Sequence, residues 1–319
     1  MAARRSAYFK KLALATTAAT YGLILFGGLV RAAGAGMGCP DWPRCYGRWV
    51  PPTQLAELPP GFDPSQFNAA LTWTEYLNRL LGVTTGFLIL ATLAAALAVH
   101  RRDARILWPV VAAVLGVGYQ GWLGGRVVAH QLAPWVVTAH LLAALLIVSL
   151  LLYATVNAFL PVGPSATASR RGARLGRLAC ALIVLTVCQI VLGTQVRGAI
   201  DLGAATIPRE RLVASVGLAD VAHRNVALAV FAGSVGLFVL ARRARPVFRP
   251  LRIAAAVALC LCGLQIAAGG VLVYFGLPRA VQVAHVSIAS LLLGAQTLLA
   301  LVAFRFPTDP RAGAGDANA

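Results

Sequence analysis

Acidic residues are scarce in this chain: 10 Asp and Glu among 319 residues, against 28 Lys and Arg. Charge of either sign is scarce too, at 12% of the sequence, where a soluble domain carries about 25%. That shortage, beside 59% hydrophobic residues, excludes an ordinary soluble domain and leaves an integral membrane protein. The formal charge of +18 implies no nucleic-acid partner, because the cations gather in short connections between apolar runs, where they set orientation in the bilayer. A cleavable signal peptide is also missing. The first apolar run follows Arg4, Arg5, Lys10 and Lys11, but it is long enough to span and no small-residue cleavage site follows it.

About 20 apolar residues cross the hydrocarbon core. Eight such runs are present, at 12–31, 78–99, 106–126, 134–156, 177–196, 222–241, 251–273 and 281–303, which predicts an all-α integral membrane protein of eight transmembrane helices. An even number of spans puts both termini on one side. That side collects 18 of the 28 cations, including Arg101, Arg102 and Arg105, Arg170 to Arg177, and Arg242 to Arg252. The positive-inside rule makes it the cytoplasmic face of a cell (plasma) membrane protein embedded in the lipid bilayer. The expected organisation is a cytoplasmic N-terminal segment (1–11), a four-helix half (12–156), a cytoplasmic linker (157–177), a second four-helix half (178–303) and a cytoplasmic tail (304–319). The stretch from Pro161 to Arg177 is rich in Pro, Ser, Gly and Arg and reads as linker. From Pro307 the composition predicts disorder.

The two halves repeat. At an offset of 145 residues, His285 falls on His140, Arg224 on Arg79, Asp220 on Glu75, and Gln265, Gly269 and Gly270 on Gln120, Gly124 and Gly125. One partner fails: His223 falls on Asn78. The spacing of 62 from position 78 to 140 recurs from 223 to 285. Fixed-offset similarity of this kind predicts a duplicated four-helix membrane unit with a histidine site in each half, one of them altered. The ends of the first and fifth spans, Gly27-Gly28-Leu29-Val30-Arg31 and Gly193-Thr194-Gln195-Val196-Arg197, correspond at an offset of 166 instead. The 21 extra residues lie in the first outer loop, which also carries Cys39 and Cys45.

His140, His223 and His285 each sit in the first turns of a span entered from outside. A ligating residue at that depth is costly unless it has work to do. Imidazole suits iron, and two histidines on facing helices grip a heme from both sides. Glu75 and Asp220 each precede the ligand position by three residues. Each is either a helix N-terminal acid, favoured by capping and the dipole, or a carboxylate that moves protons beside an open iron site. Arg31, Arg79, Arg126, Arg197 and Arg224 close the outer ends of spans, where they either snorkel to the interface or pair with propionates. Cys39 and Cys45, on the oxidising side, suit a short-loop disulfide better than a metal site, since no histidine lies nearby. Cys180, Cys188, Cys260 and Cys262 fall within spans and read as small buried hydrophobes. His100 heads the basic cytoplasmic run and reads as solvated. His130, between the third and fourth spans, falls near the first-half site.

Together these residues resemble the heme A synthase family. Gly27-Gly28-Leu29-Val30-Arg31 followed by Gly36-Met37-Gly38-Cys39-Pro40-Asp41-Trp42-Pro43 is similar to its first-loop signature. Glu75-x-x-Asn78-Arg79, Gln120-Gly121-x-x-Gly124-Gly125, Thr138-Ala139-His140 and the His223-Arg224/His285 pair follow in the family's order, over roughly residues 12 to 303. The resemblance implies a membrane heme O oxygenase built as two pseudo-symmetric four-helix bundles. Such an enzyme oxidises the C8 methyl of heme O to the formyl of heme A by successive hydroxylations, with molecular oxygen or water as the oxygen source. It serves aa3-type terminal oxidase assembly, beside heme O synthase and the oxidase. The resemblance further implies heme b between His223 and His285, substrate heme O on His140, Glu75 as the catalytic carboxylate, and a Cys39–Cys45 disulfide as in some members; Arg79 and Arg224, beside the ligand positions, are the candidates for propionate contacts. Asn78 departs from the family, whose better-known members have histidine there. It defines a subtype with a degenerate ligand position, because amide oxygen is a poor heme-iron ligand.

Two competing readings remain at the level of sequence. A heme b electron-transfer protein without heme A synthase activity is favoured by Asn78 and opposed by Glu75. A transporter is weakened by the direction of the repeats: four spans per half make them parallel, not inverted.

Overall fold

The computed structural model describes residues 2–160, 169–204, 206–208, 211–245 and 247–305. Among them the chain is helical, with no strand beyond an isolated bridge between Cys45 and Arg48. The helices are α1 (Ala2–Ala32), α2 (Ala69–Val99), α3 (Ala104–Ala129), α4 (Pro134–Phe159), α5 (Arg170–Gly203), the short α6 (Leu212–Ser215), α7 (Leu218–Arg243), α8 (Arg249–Tyr274) and α9 (Arg279–Ala303). Eight of them, all but α6, are long and apolar enough to cross a membrane, as the hydropathy predicts. This is a multi-pass helical membrane protein.

Five of the eight long helices run past the predicted spans at both ends, and α2, α4 and α9 at one end. The longest, α5, has 34 residues, about 51 Å at 1.5 Å per residue, against a hydrocarbon core of about 30 Å. Apolarity marks only the part inside the core, whereas hydrogen bonding continues until a capping residue stops it. Hence α1 already begins within the expected N-terminal segment. Most of 169–177, expected as linker, is the first turns of α5, capped by the Ser169 side chain accepting from Gly172 N. Of the rest of that linker, 157–159 are the end of α4, while 161–168 and the tail from Pro307 lie outside the described residues. Likewise α2 starts nine residues before the predicted 78, where Asn68 Oδ1 accepts from Leu71 N at 3.1 Å.

Two compact units emerge from the packing. The first comprises Met1–Thr155 with Val271–Ser287, the second Val156–Gly270 with Ile288–Ala319. In the first, α1 packs on α2 and α2 on α3. Buried hydroxyls pair across the helices there, Thr16 with Thr92 at 2.8 Å and Thr17 with Thr155 at 3.1 Å. Such pairs satisfy polar groups that lipid cannot. In the second unit α5 packs on α7, around an apolar core that includes Leu182, Leu237, Leu251, Leu292 and Leu299.

Two local expectations change. His100 is not simply solvated: it caps α2, and its ring meets Phe9 edge-on at 4.7 Å, so burial holds the imidazole below its ordinary pKa range. Of the four free cysteines only Cys262 is buried; Cys180, Cys188 and Cys260 are exposed on helix faces, where a membrane-spanning helix meets lipid. An apolar span does not distinguish a core face from a lipid face by composition, which is why sequence placed all four inside.

Candidate functional site

The α1–α2 connection is a folded microdomain. Cys39 and Cys45 form a disulfide, and with Tyr46 they make a buried nucleus covered by Phe62, Phe67 and Tyr76. Tyr46 and Gly47 both take the left-handed conformation, at φ +55° and +70°. The Asp41 carboxylate holds that turn by accepting from Tyr46 N at 2.6 Å and Gly47 N at 2.8 Å. The backbone at Gly38 lies directly on α2: a Cβ there would stand 2.4 Å from the Leu71 carbonyl oxygen, so only glycine fits. Thr72 Oγ1 donates to Gly38 O at 2.8 Å across the same seam.

Glu75 and Arg79 complete this attachment. Glu75 is buried in the interior of α2, not at its N-terminus, because the helix starts at Ala69, nine residues before the predicted 78. Its Oε2 accepts from Cys39 N at 2.8 Å, and its Oε1 accepts from Arg79 Nε at 3.2 Å and Nη2 at 2.5 Å. Arg79 also donates through Nη1 to Asp41 O at 2.9 Å and Arg44 O at 2.8 Å, and through Nη2 to Cys39 O at 3.4 Å. One side chain thus reaches four residues 35 to 40 positions away or one helical turn back. Asp220, by contrast, does sit in the first turn of α7, and Arg224 pairs with it at 2.7 Å while remaining 50% exposed. Arg197 pairs with Asp201 at 2.8 Å, and Arg126 meets His130 at 2.7 Å, so His130 is engaged at the end of α3.

The histidines are set among glycines. On α4, His140 faces Gly124 of α3, whose missing Cβ would stand 3.8 Å from the imidazole Cε1; Gln120 Nε2 donates to the His140 carbonyl at 2.9 Å. His140 Nδ1 is buried with no protein partner. In the second unit, His223 of α7 faces Gly193 of α5, where a Cβ would stand 3.0 Å from Cε1, and Gln189 Nε2 lies 3.3 Å from His223 Nε2. His223 Nδ1 is likewise buried without a partner. Asn78 faces Gly27 of α1, with 3.9 Å from its Oδ1 to the position of a Cβ, and that oxygen too is buried without a partner. His285 lies partly buried in the second turn of α9, in the segment that clusters with the first unit. Orphaned ring nitrogens beside glycine-cleared space are what imidazoles awaiting an iron-centred planar ligand require. Among the described residues no three of His, Cys, Asp and Glu gather as a metal site.

Sequence reasoning missed Gln189 as a neighbour of His223. The signal was there: Gln189 and Gly193 repeat the four-residue spacing of Gln120 and Gly124, but the 145-residue alignment pairs Gln120 with Gln265 instead. It missed the Arg79 network because nothing periodic links a helix residue to a loop some 40 positions earlier.

Eight spans, with a partly buried histidine facing a glycine in each unit, define a multi-pass helical membrane protein. The chain belongs to the COX15-CtaA family of cytochrome oxidase assembly proteins, whose model matches residues 10–297. Among its relatives is a heme A synthase of Shewanella oneidensis, 35% identical over 133 residues, which are 41% of this chain and 39% of that one. A heme A synthase of a Methylobacterium species is 30% identical over 316 residues, 85% of each chain. One of Rhizorhabdus wittichii is 27% identical over 315 residues, 86% of this chain and 88% of the relative. The match to the first of these spans less than half of its length, whereas the other two are matched nearly end to end.

Proposed function

We propose that this protein is a heme A synthase, an oxidoreductase that converts the C8 methyl of heme O to the formyl of heme A by successive hydroxylations, for the assembly of aa3-type terminal oxidases. The observation that carries this reading is the recurrence of one arrangement. Gly27 faces Asn78 and Gly193 faces His223, and these pairs correspond under the repeat offsets of 166 and 145. A ligand position opposite a glycine on the preceding long helix is thus common to both halves, which supports two pseudo-symmetric heme sites.

In this reading the substrate heme O is held by His140 in the first half. The closed site of the second half holds heme b between His223 and His285, an assignment that rests on the 62-residue spacing and the family. Bound heme supplies iron for electron transfer and oxygen activation. The chain's own contribution is positional. Asn78 presents a hard, neutral amide oxygen on the second face of the substrate, a weaker donor than imidazole, and leaves that face open. This is the subtype feature. Arg224, half exposed beside Asp220, suits a heme propionate by charge. Oxygen comes from dioxygen or water, heme O synthase and the terminal oxidase are the partners upstream and downstream, and the excess of loop cations on one side supports cytoplasmic termini in the plasma membrane.

Expression in a host that makes heme O but not heme A tests the activity. Pigment extraction with mass analysis should find heme A; heme O and heme b alone would refute it and leave an electron-transfer protein. His223→Ala and His285→Ala should each abolish the six-coordinate heme b spectrum.

A further inference from the structure

We infer that Arg79, acting with Glu75, is a positioning residue: it fastens the disulfide-closed α1–α2 loop to α2 and thereby holds Trp42 at the rim of the His140 site. The part of this that concerns substrate rests on the reading above that His140 carries heme O.

A guanidinium has five N–H donors. All five of Arg79 are engaged, by the Glu75 carboxylate twice and by the carbonyls of Cys39, Asp41 and Arg44. None is left to receive a propionate. Both oxygens of Glu75 are engaged as well, one by Arg79 and one by Cys39 N. The pair is therefore built into the attachment of the loop, and its members do not face outward into a site.

What the attachment positions is given by two adjacent glycines of α3. Gly124 faces the His140 imidazole, while Gly125 faces Trp42, whose indole carbons lie 3.0 Å from where a Cβ would be. Trp42 directly follows Asp41, whose carbonyl Arg79 holds. The indole, with Trp122, Arg126 and Asp41, lines a groove of about 460 Å³ beside that helix. The repeat sharpens the contrast. Arg224 makes the same i, i+4 ion pair with Asp220 but stays half exposed. The same arginine of the repeat has two roles, loop fastening in the first half and ligand contact in the second, and the 21 residues added to the first loop account for the difference.

The test uses the full-length protein in membranes. The rate at which a membrane-impermeant phosphine reduces Cys39–Cys45 is followed by mass tagging of the freed thiols. Arg79→Ala and Glu75→Ala should each speed reduction by about tenfold or more, and the double variant should be no faster than the faster single one, because both break one fastening. Arg79→Lys, which keeps the charge but not the fork and serves if the alanine variant fails to accumulate, should recover only part of the protection. With heme O supplied, Arg79→Ala should raise KM by about tenfold and change kcat by less than about threefold. An unchanged reduction rate in Arg79→Ala or Arg79→Lys protein that retains its heme b spectrum would overturn the fastening. A kcat loss of about a hundredfold with KM unchanged would overturn positioning in favour of direct participation in the chemistry. If the parent protein forms no heme A, the proposed activity fails while the reduction rates still decide the fastening.

Discussion

Replacing Gly38 by alanine isolates the seam between the loop and α2 without touching a charge. The new Cβ would lie 2.4 Å from the Leu71 carbonyl oxygen and 2.8 Å from Thr72 N, both backbone atoms of a helix that cannot yield. To reach ordinary contact the loop must retreat by about 1 Å. That stretches the Thr72 Oγ1 to Gly38 O bond and the Cys39 N to Glu75 bond, each 2.8 Å, beyond hydrogen-bonding range. Losing one neutral bond (about 0.5–1.5 kcal/mol) and one to a charged acceptor (about 1.5–3 kcal/mol) lowers the opening free energy of the loop by about 2–4.5 kcal/mol. If the disulfide is reduced only from the open loop, its reduction accelerates by about 30- to 2000-fold, at 1.4 kcal/mol per tenfold. The assay is thiol tagging after timed reduction, with the heme b spectrum as the control for folding. Reduction of Gly38→Ala at the parental rate would refute the close approach and the energetics drawn from it.

Gly193→Ala should perturb the heme b spectrum, because its Cβ would crowd His223 Cε1 at 3.0 Å, whereas Gly124→Ala, at 3.8 Å from His140 Cε1, should leave the first-half site nearly unchanged; optical spectra of the two variants decide this, and equal effects would contradict it. Asn78→His should close the substrate iron with a second imidazole and suppress carbon monoxide binding to that heme, so an unaltered carbon monoxide difference spectrum means Asn78 does not face the iron. In the loop, Asp63 and Glu57 titrate below the ordinary carboxylate range, chiefly because the backbone N–H groups of Ser65 and Thr53 bond their ionised forms. A carboxyl depressed in the folded state stabilises it above the unfolded pKa and loses that effect as pH falls through the folded value. Limited proteolysis of residues 53–66 should therefore accelerate as pH drops below the ordinary carboxylate range; constant susceptibility there would show that neither bond restrains the loop.

The membrane architecture was legible because apolar length is a one-dimensional signal: eight runs predicted eight long helices, and the described residues form eight. The candidate ligands were legible because a repeat states its own correspondences, and Asn78 stood out only against His223. Helix ends were not legible, since caps such as Asn68 and Ser169 are set by a few hydrogen bonds outside the hydrophobic pattern. The loop was the largest omission. Its 21 extra residues read as length, yet they fold onto α2 through one tight glycine, one disulfide and one arginine whose every donor is used. No periodicity encodes such contacts. What sequence does carry is the asymmetry they explain: the added loop, the altered ligand and the buried acid all fall in the same half. If that half is where oxygen chemistry takes place, an open iron face at Asn78 needs protection from bulk water that a second imidazole would otherwise give, and a loop fastened over the adjoining helix end supplies it. In the second half, where the proposed heme b lies between two histidines, no such need arises, and the matching Arg224 stays half exposed.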